Sequence, residues 1–142
     1  MKLVKHLLDS KGRHITSIAP DASVFDAIKT MADEAIGSLV VMNDQELLGI
    51  ITERDYARKV IVKGRASEST LVSEIMSTDV QTTTSAQTVN DCMQLMTERR
   101  IRHLPVVENN IVIGMISIGD LVQAIISDQQ EEIEQLEHYI SG

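Results

Sequence analysis

Gly49-Ile50-Ile51-Thr52-Glu53-Arg54-Asp55 returns 65 residues later as Gly114-Met115-Ile116-Ser117-Ile118-Gly119-Asp120. Each stretch is a glycine, two apolar residues, a hydroxyl residue, two variable positions and an aspartate. The match extends in both directions: Ile15 to Val62 aligns without a gap on Val80 to Ser127. Val24/Val89, Asp26/Asp91, Met31/Met96, Ile36/Ile101, Leu39/Leu104, Val41/Val106 and Ile61/Ile126 are identities. Most are apolar, as a shared core requires; the paired glycines and aspartates need a reason of their own. A repeat of this period decides the architecture before any local reading.

Each copy reads as strand, helix, strand, tight turn, strand, helix. Ile15 to Ile18 is a short strand. A helix over Val24 to Ala35 places Val24, Ala27, Ile28, Met31 and Ala35 on one side, with Ser23 and Asp26 at its start and Gly37 as its stop. Leu39 to Met42 and Leu47 to Thr52 flank an Asn43-Asp44 turn. A second helix begins near Glu53 and ends at Gly64. The second copy gives a Thr88/Asp91 start with Val89, Cys92, Met93 and Met96 inward, then a hairpin of Leu104 to Val107 and Ile111 to Ser117. The organisation expected is a single α/β module over 1–142. It comprises a first repeat at 15–62, a linker at 63–79, a second repeat at 80–127 and an acidic helix at 128–140. A short helical segment, Leu3 to Leu8, precedes the repeats, and Leu71 to Met76 can form one turn. Two readings of the ends stand: each covers its own domain, or they pack across a homodimer.

A chain of 142 residues can bury roughly 68–70% of its unfolded surface and needs no covalent staple. The lone Cys92 excludes an intramolecular disulfide, and no apolar run approaches the roughly 18 residues of a membrane span. Lys2, Lys5, Lys11 and Arg13 crowd the start, while Asp128 to Gly142 holds five acids and no lysine or arginine. A net charge of −8 and a near absence of aromatics exclude duplex and base-stacking nucleic-acid binders. The expectation is a cytoplasmic protein with neither nucleic acid nor membrane as partner. Phosphate-binding, dinucleotide-turn and zinc-helix motifs are absent, and the four histidines lack metal-ligand spacing. No catalytic residue, metal or catalytic cofactor is assigned, and no enzymatic activity is expected.

The doubled Thr/Ser-x-x-Asp motif carries the chemistry. A hydroxyl at a strand end and an aspartate three residues on share the first turn of a helix, where free N–H groups favour anions. The aspartate can accept two hydrogen bonds, which suits the vicinal hydroxyls of ribose. The same pattern is also a helix cap, stabilising by about 1 kcal/mol. Ser23/Asp26 and Thr88/Asp91 show it too, and one residue can fill both roles.

With both motif copies and the stretch Arg100-Ile101-Arg102-His103-Leu104-Pro105-Val106-Val107, the chain resembles a pair of cystathionine-β-synthase-type (CBS) domains over Ile15 to Ser127. The opening Val4-Lys5-His6-Leu7-Leu8 and the run Glu53 to Val60 resemble small stand-alone proteins of that family. The resemblance implies two β-α-β-β-α repeats related by pseudo-two-fold symmetry, with sheets packed together and helices at both ends. It also implies a disc-like, dimerising module that binds adenosine-containing ligands in two clefts. Carried over by position, one cleft takes Thr52, Arg54 and Asp55 with Thr82, Ile101, Arg102, His103 and Pro105. The other takes Ser117, Gly119 and Asp120 with Thr16, Ile36, Gly37 and Ser38; here Val40 stands where the family has proline. Arg54, Arg102 and His103 suit phosphate. Gly119 offers no charge, so the clefts should differ in affinity. Arg54 also reads as a solvated arginine and His103 as a satisfied strand-edge histidine.

The function expected is a regulatory or energy-sensing module that binds AMP, ADP, ATP or NAD and acts on a partner protein in trans. The alternative is a ligand-independent dimerisation module with vestigial clefts.

Overall fold

The two copies fold with their element boundaries in register across the offset. The computed structural model describes residues 2–141. Its elements run α1 (Val4–Lys11), β1 (Ser17–Ile18), α2 (Val24–Glu34), β2 (Ser38–Asn43), β3 (Glu46–Thr52), α3 (Glu53–Tyr56), α4 (Val72–Ile75), α5 (Val89–Arg99), β4 (His103–Glu108), β5 (Ile111–Ser117) and α6 (Ile118–Ser141). Adding 65 to the bounds of α2, β2 and β3 gives those of α5, β4 and β5.

Local chemistry sets these bounds. Ser23 Oγ accepts the Asp26 N–H at 3.1 Å, and Thr88 Oγ1 accepts that of Asp91 at 3.0 Å. Each satisfies an otherwise orphaned donor of the first turn. Both helices end on a left-handed residue, Ala35 and Arg100 at φ 55°, so α2 stops two residues before Gly37. The second hairpin turns on Asn109 and Asn110 with φ of 51° and 65°, the pair of left-handed residues that matches strand twist. Ile18 pairs in parallel with Val41, and Thr83 with Val106, again the same positions in each copy.

The chain divides into two compact units. One holds residues 15–81 with 109–112; its core is Val24, Ala27, Met31, Leu39, Val41, Ile51, Val60, Val72 and Ile75. Ile111 of this unit pairs antiparallel with Glu46. The hydrogen-bonded strand order is β1-β2-β3-β5-β4. The other unit holds residues 2–14, Thr82–Glu108 and 113–141, around Val4, Leu8, Cys92, Met96, Leu104, Ile116 and Leu121. No helix among the described residues is long and apolar enough to cross a membrane.

The leading segments are therefore exchanged. Helix α1 belongs with the second repeat: Leu3 bridges Thr88, and the Val4 N–H reaches Gln87 O at 2.9 Å. Helix α4 takes the equivalent place on the first: Leu71 bridges Ser23, and the Val72 N–H reaches Ala22 O at 2.9 Å. The paired glycines now have their reason. A Cβ on Gly114 would lie 2.6 Å from Leu8 Cδ2 of α1, and one on Gly49 would lie 2.7 Å from Ser77 O and 2.9 Å from Met76 Sδ.

Two helices differ from the sequence reading. Beyond α3 the chain widens into a π-helical turn over Ala57–Ile61. The second repeat's last helix does not break at Asp128, because α6 continues through the acidic stretch to Ser141. Lys2 pairs with Asp128 at 3.4 Å, so the basic start and the acidic end meet within one unit.

Gly49→Ala should cost roughly 1–3 kcal/mol, since its clash includes backbone, and Gly114→Ala less, since the end of a Leu side chain can rotate away. Thermal unfolding of the two variants checks this order; equal losses would contradict it.

Candidate functional site

The chain leaves β3 at Thr52 and enters a helix at once, which fixes the first motif. Thr52 Oγ1 accepts the Asp55 N–H at 3.1 Å. Asp55 Oδ2 accepts from the Thr52 N–H at 3.0 Å and from its hydroxyl at 3.1 Å. Asp55 Oδ1 faces Lys59 Nζ at 3.1 Å, one helical turn on, and Lys59 also donates to Ile75 O at 2.8 Å. The Asp55 side chain is 11% exposed. Two predicted residues of the same repeat lie alongside: Ser38 pairs with Thr52, and Gly37 O accepts the Glu53 N–H at 3.1 Å. Arg54 is exposed on the next position.

The second motif repeats the reciprocal bonds. Ser117 Oγ accepts the Asp120 N–H at 3.1 Å, and Asp120 Oδ2 accepts the Ser117 N–H at 2.8 Å. Here the cation comes from elsewhere in the sequence. Lys11, the last residue of α1, donates to Asp120 Oδ2 at 2.6 Å and to Met115 O at 2.8 Å. Arg102 O accepts the Ile118 N–H at 2.9 Å, which brings the start of β4 beside this motif. The Asp120 side chain is 24% exposed, and its Oδ1 has no partner among the described residues. Gly119 has open space around it except for Ser117 Oγ, 3.6 Å from a built Cβ.

The charges around Asp120 are coupled. Burial pushes its carboxyl upward. The Lys11 hydrogen bond, the Ser117 N–H, the Lys11 charge and the Ser117 hydroxyl outweigh that, and they hold it below the ordinary carboxylate range. His103 is lowered, first by burial and then by Lys11, with Arg102 adding and Asp120 opposing. Its imidazole is thus neutral at pH 7. The second motif is therefore not without charge, as Gly119 alone suggests: α1 supplies the cation.

Of the remaining predicted residues, Ile36 and Ile101 are partly buried, each against its own unit's core. Pro105 O accepts the Thr83 N–H at 3.0 Å. Thr82 lines a groove of about 260 Å³ with Thr84, Gln87, Asp91 and Cys92. Thr16 directly precedes β1. Burial raises the Cys92 thiol, which keeps it a packing residue. Among the described residues no cluster of three His, Cys, Asp or Glu side chains could hold a metal.

The sequence reading missed both lysines. Lys59 was within reach, because an acid and a base four residues apart on a helix are neighbours. Lys11 had no local signal; only the exchange of α1 brings it to a residue 109 positions away.

A hydroxyl residue at a strand end, capped reciprocally with an aspartate three residues on, is thus built twice on a duplicated α/β scaffold, and the comparison with known proteins places that scaffold in the CBS family. Its family model, "CBS domain", matches residues 6–62 and 72–127. The chain is 43% identical over 148 aligned residues to the mitochondrial CBS domain-containing protein CBSX3 of Arabidopsis thaliana, covering 98% of this chain and 72% of that protein. Among solved structures, a protein with CBS domains from Burkholderia ambifaria is 46% identical, with a TM-score of 0.85 over 90% of this chain and 96% of that one. The CBS domain protein NE2398 is 49% identical, with a TM-score of 0.84 over 88% of this chain and 98% of that one. The chain belongs to the CBS-domain family and is a CBS-pair regulatory module. The first matched segment takes in α1 from His6 onward, and the second takes in α4.

Lys11→Met should raise the His103 pKa, since it removes one of the cations that oppose Asp120; histidine ring signals followed by NMR across pH 4–8 check this. In the same variant acid unfolding should begin at higher pH. The Asp120 contribution is present above the unfolded carboxylate pKa of about 3.9 and is lost as pH falls through the depressed folded value, which rises when Lys11 is gone.

Proposed function

We propose that this chain binds an adenosine-containing nucleotide of the AMP, ADP, ATP or NAD class, and that binding regulates a partner protein in trans without catalysis. Asp55 and Asp120 take the ribose hydroxyls. Thr52 and Ser117 fix those carboxylates. Thr16, Ile36, Gly37, Ser38, Thr82, Ile101 and Pro105 supply aliphatic walls and backbone groups for adenine, with Arg54, Arg102 and His103 near phosphate. The observation that carries this reading is the free Oδ1 of Asp120: the cap uses one carboxylate oxygen and leaves the other for a ligand. The CBS pair of MJ0100, in complex with methylthioadenosine and S-adenosylmethionine, has the same fold, with a TM-score of 0.79 at 24% identity. Both of its ligands carry an adenosine.

Binding acts by favouring one conformation or assembly over another, since only differential affinity shifts an equilibrium. A ligand at 100 times its Kd adds about 2.7 kcal/mol of stability. A thermal-shift panel of adenosine, AMP, ADP, ATP, NAD and S-adenosylmethionine should therefore show a rise of several degrees with at least one. No rise with any of them sinks the nucleotide reading. Asp55→Ala and Asp120→Ala should each abolish the ribose-dependent rise of its own site.

A second reading has its own observation. On α6, Ile126, Ile133 and Ile140 recur every seven residues with Leu136 between, and all are at least half exposed. That stripe suits a second copy of the chain, packed helix to helix, and supports a homodimer with or without ligand. Size-exclusion of a chain ending at Asp128 should give a monomer; an unchanged dimer excludes this stripe.

A further inference from the structure

An ammonium group has three donors and no acceptor. Lys11 spends one on Asp120 Oδ2 at 2.6 Å and one on Met115 O at 2.8 Å. The third has no partner among the described residues, and the side chain is 37% exposed. The group is also held from below. Lys11 is the last residue of α1, where the helix dipole favours a cation. Leu8, one turn earlier, is fully buried against Gly114. An ammonium fixed in this way loses little freedom when it meets a ligand.

The surroundings favour an anion. Lys11 and Arg102 carry two positive charges, Asp120 one negative, and the lowered His103 none, so the cluster is left with a net positive charge. Ribose hydroxyls at Asp120 Oδ1 would be neutral and leave that excess unanswered. A phosphate on the same ribose would answer it within reach of the third Lys11 donor. The other motif is built differently: Thr52 engages Asp55 Oδ2 and Lys59 engages Oδ1, so a ribose there would share Oδ1 with the lysine.

We propose that Lys11 is the phosphate-reading residue of the Asp120 site, so that this site, despite Gly119, selects a phosphorylated adenosine over adenosine itself. The inference rests on the ribose assignment to Asp120 made above. It makes the exchanged helix α1 part of the binding site as well as part of the core.

Isothermal titration of adenosine and AMP tests it, with the full chain carrying Asp55→Ala so that the Asp120 site reports alone. Lys11→Met should weaken AMP by roughly ten-fold to a hundred-fold, the scale of one charge-assisted hydrogen bond, and adenosine by less than about three-fold. Lys11→Arg should keep the preference for AMP. Lys11→Gln, which retains a donor for Met115 O, should lose that preference even where the methionine variant is too unstable to measure. Equal losses for both ligands, or none for AMP, overturn the inference while leaving the ribose assignment intact. Adenosine binding that survives Asp120→Ala, or that is absent without any Lys11 change, overturns the assignment and the inference with it.

Discussion

The crossing of the two leading segments holds this fold together. The Val4 N–H on Gln87 O and the Val72 N–H on Ala22 O put a short helix beside each repeat, and the helix comes from ahead of the other one. Everything near the aspartates follows from that exchange. Gly49 and Gly114 are glycines because a helix, or the segment after it, passes where a Cβ would stand. Lys11 meets Asp120, and Lys59 meets Ile75 O, because α1 and α4 run beside the ends of β5 and β3. Helices α1 and α4 complete the two cores with Leu7, Leu8, Val72 and Ile75, all buried.

On this frame the aspartate motifs do two jobs with different atoms. The cap consumes the aspartate N–H and one carboxylate oxygen, so the helix start is rigid before any ligand arrives. The symmetry of the scaffold does not carry over to the charges. Lys59 lies one turn beyond Asp55, and the equivalent position of the second repeat is Ala124. The second aspartate is instead neutralised from 109 residues away. Each motif thus has a lysine, reached by a different route and leaving a different remainder: a carboxylate engaged on both oxygens at Asp55, on one at Asp120.

How much of this could be read from the sequence depends on how local each cause is. The starts of α2 and α5 were legible because Ser23 and Thr88 cap through side chains three residues from their partners. The left-handed turns that end them were not, because neither Ala35 nor Arg100 is a residue type that composition marks for that conformation. The motif residues Thr52, Asp55, Ser117 and Asp120 were legible twice over, from repetition and from capping logic. The widening after Tyr56 left no mark in the apolar spacing. The continuity of α6 was obscured by the change from apolar to acidic composition at Asp128, which alters the helix surface but not its backbone. Lys11 was invisible for a topological reason: the alignment of the repeats starts at Ile15, after the segment that completes the second of them.

The exchange also bears on how the chain folds as it is made. Most of the first unit is contiguous from Ile15 to Gln81 and brings its own covering helix, α4. The second unit is not contiguous, because it needs α1, which emerges before any of the first unit. At about 5–20 residues per second of synthesis, the apolar face of Val4, Leu7 and Leu8 waits for seconds until α5, β4 and β5 exist to receive it. Over that interval α1 is a sticky amphipathic segment tethered to a nearly finished neighbour. Lys5, Lys11 and Arg13 lie within and just after that segment, and charges so placed oppose the association of exposed apolar stretches.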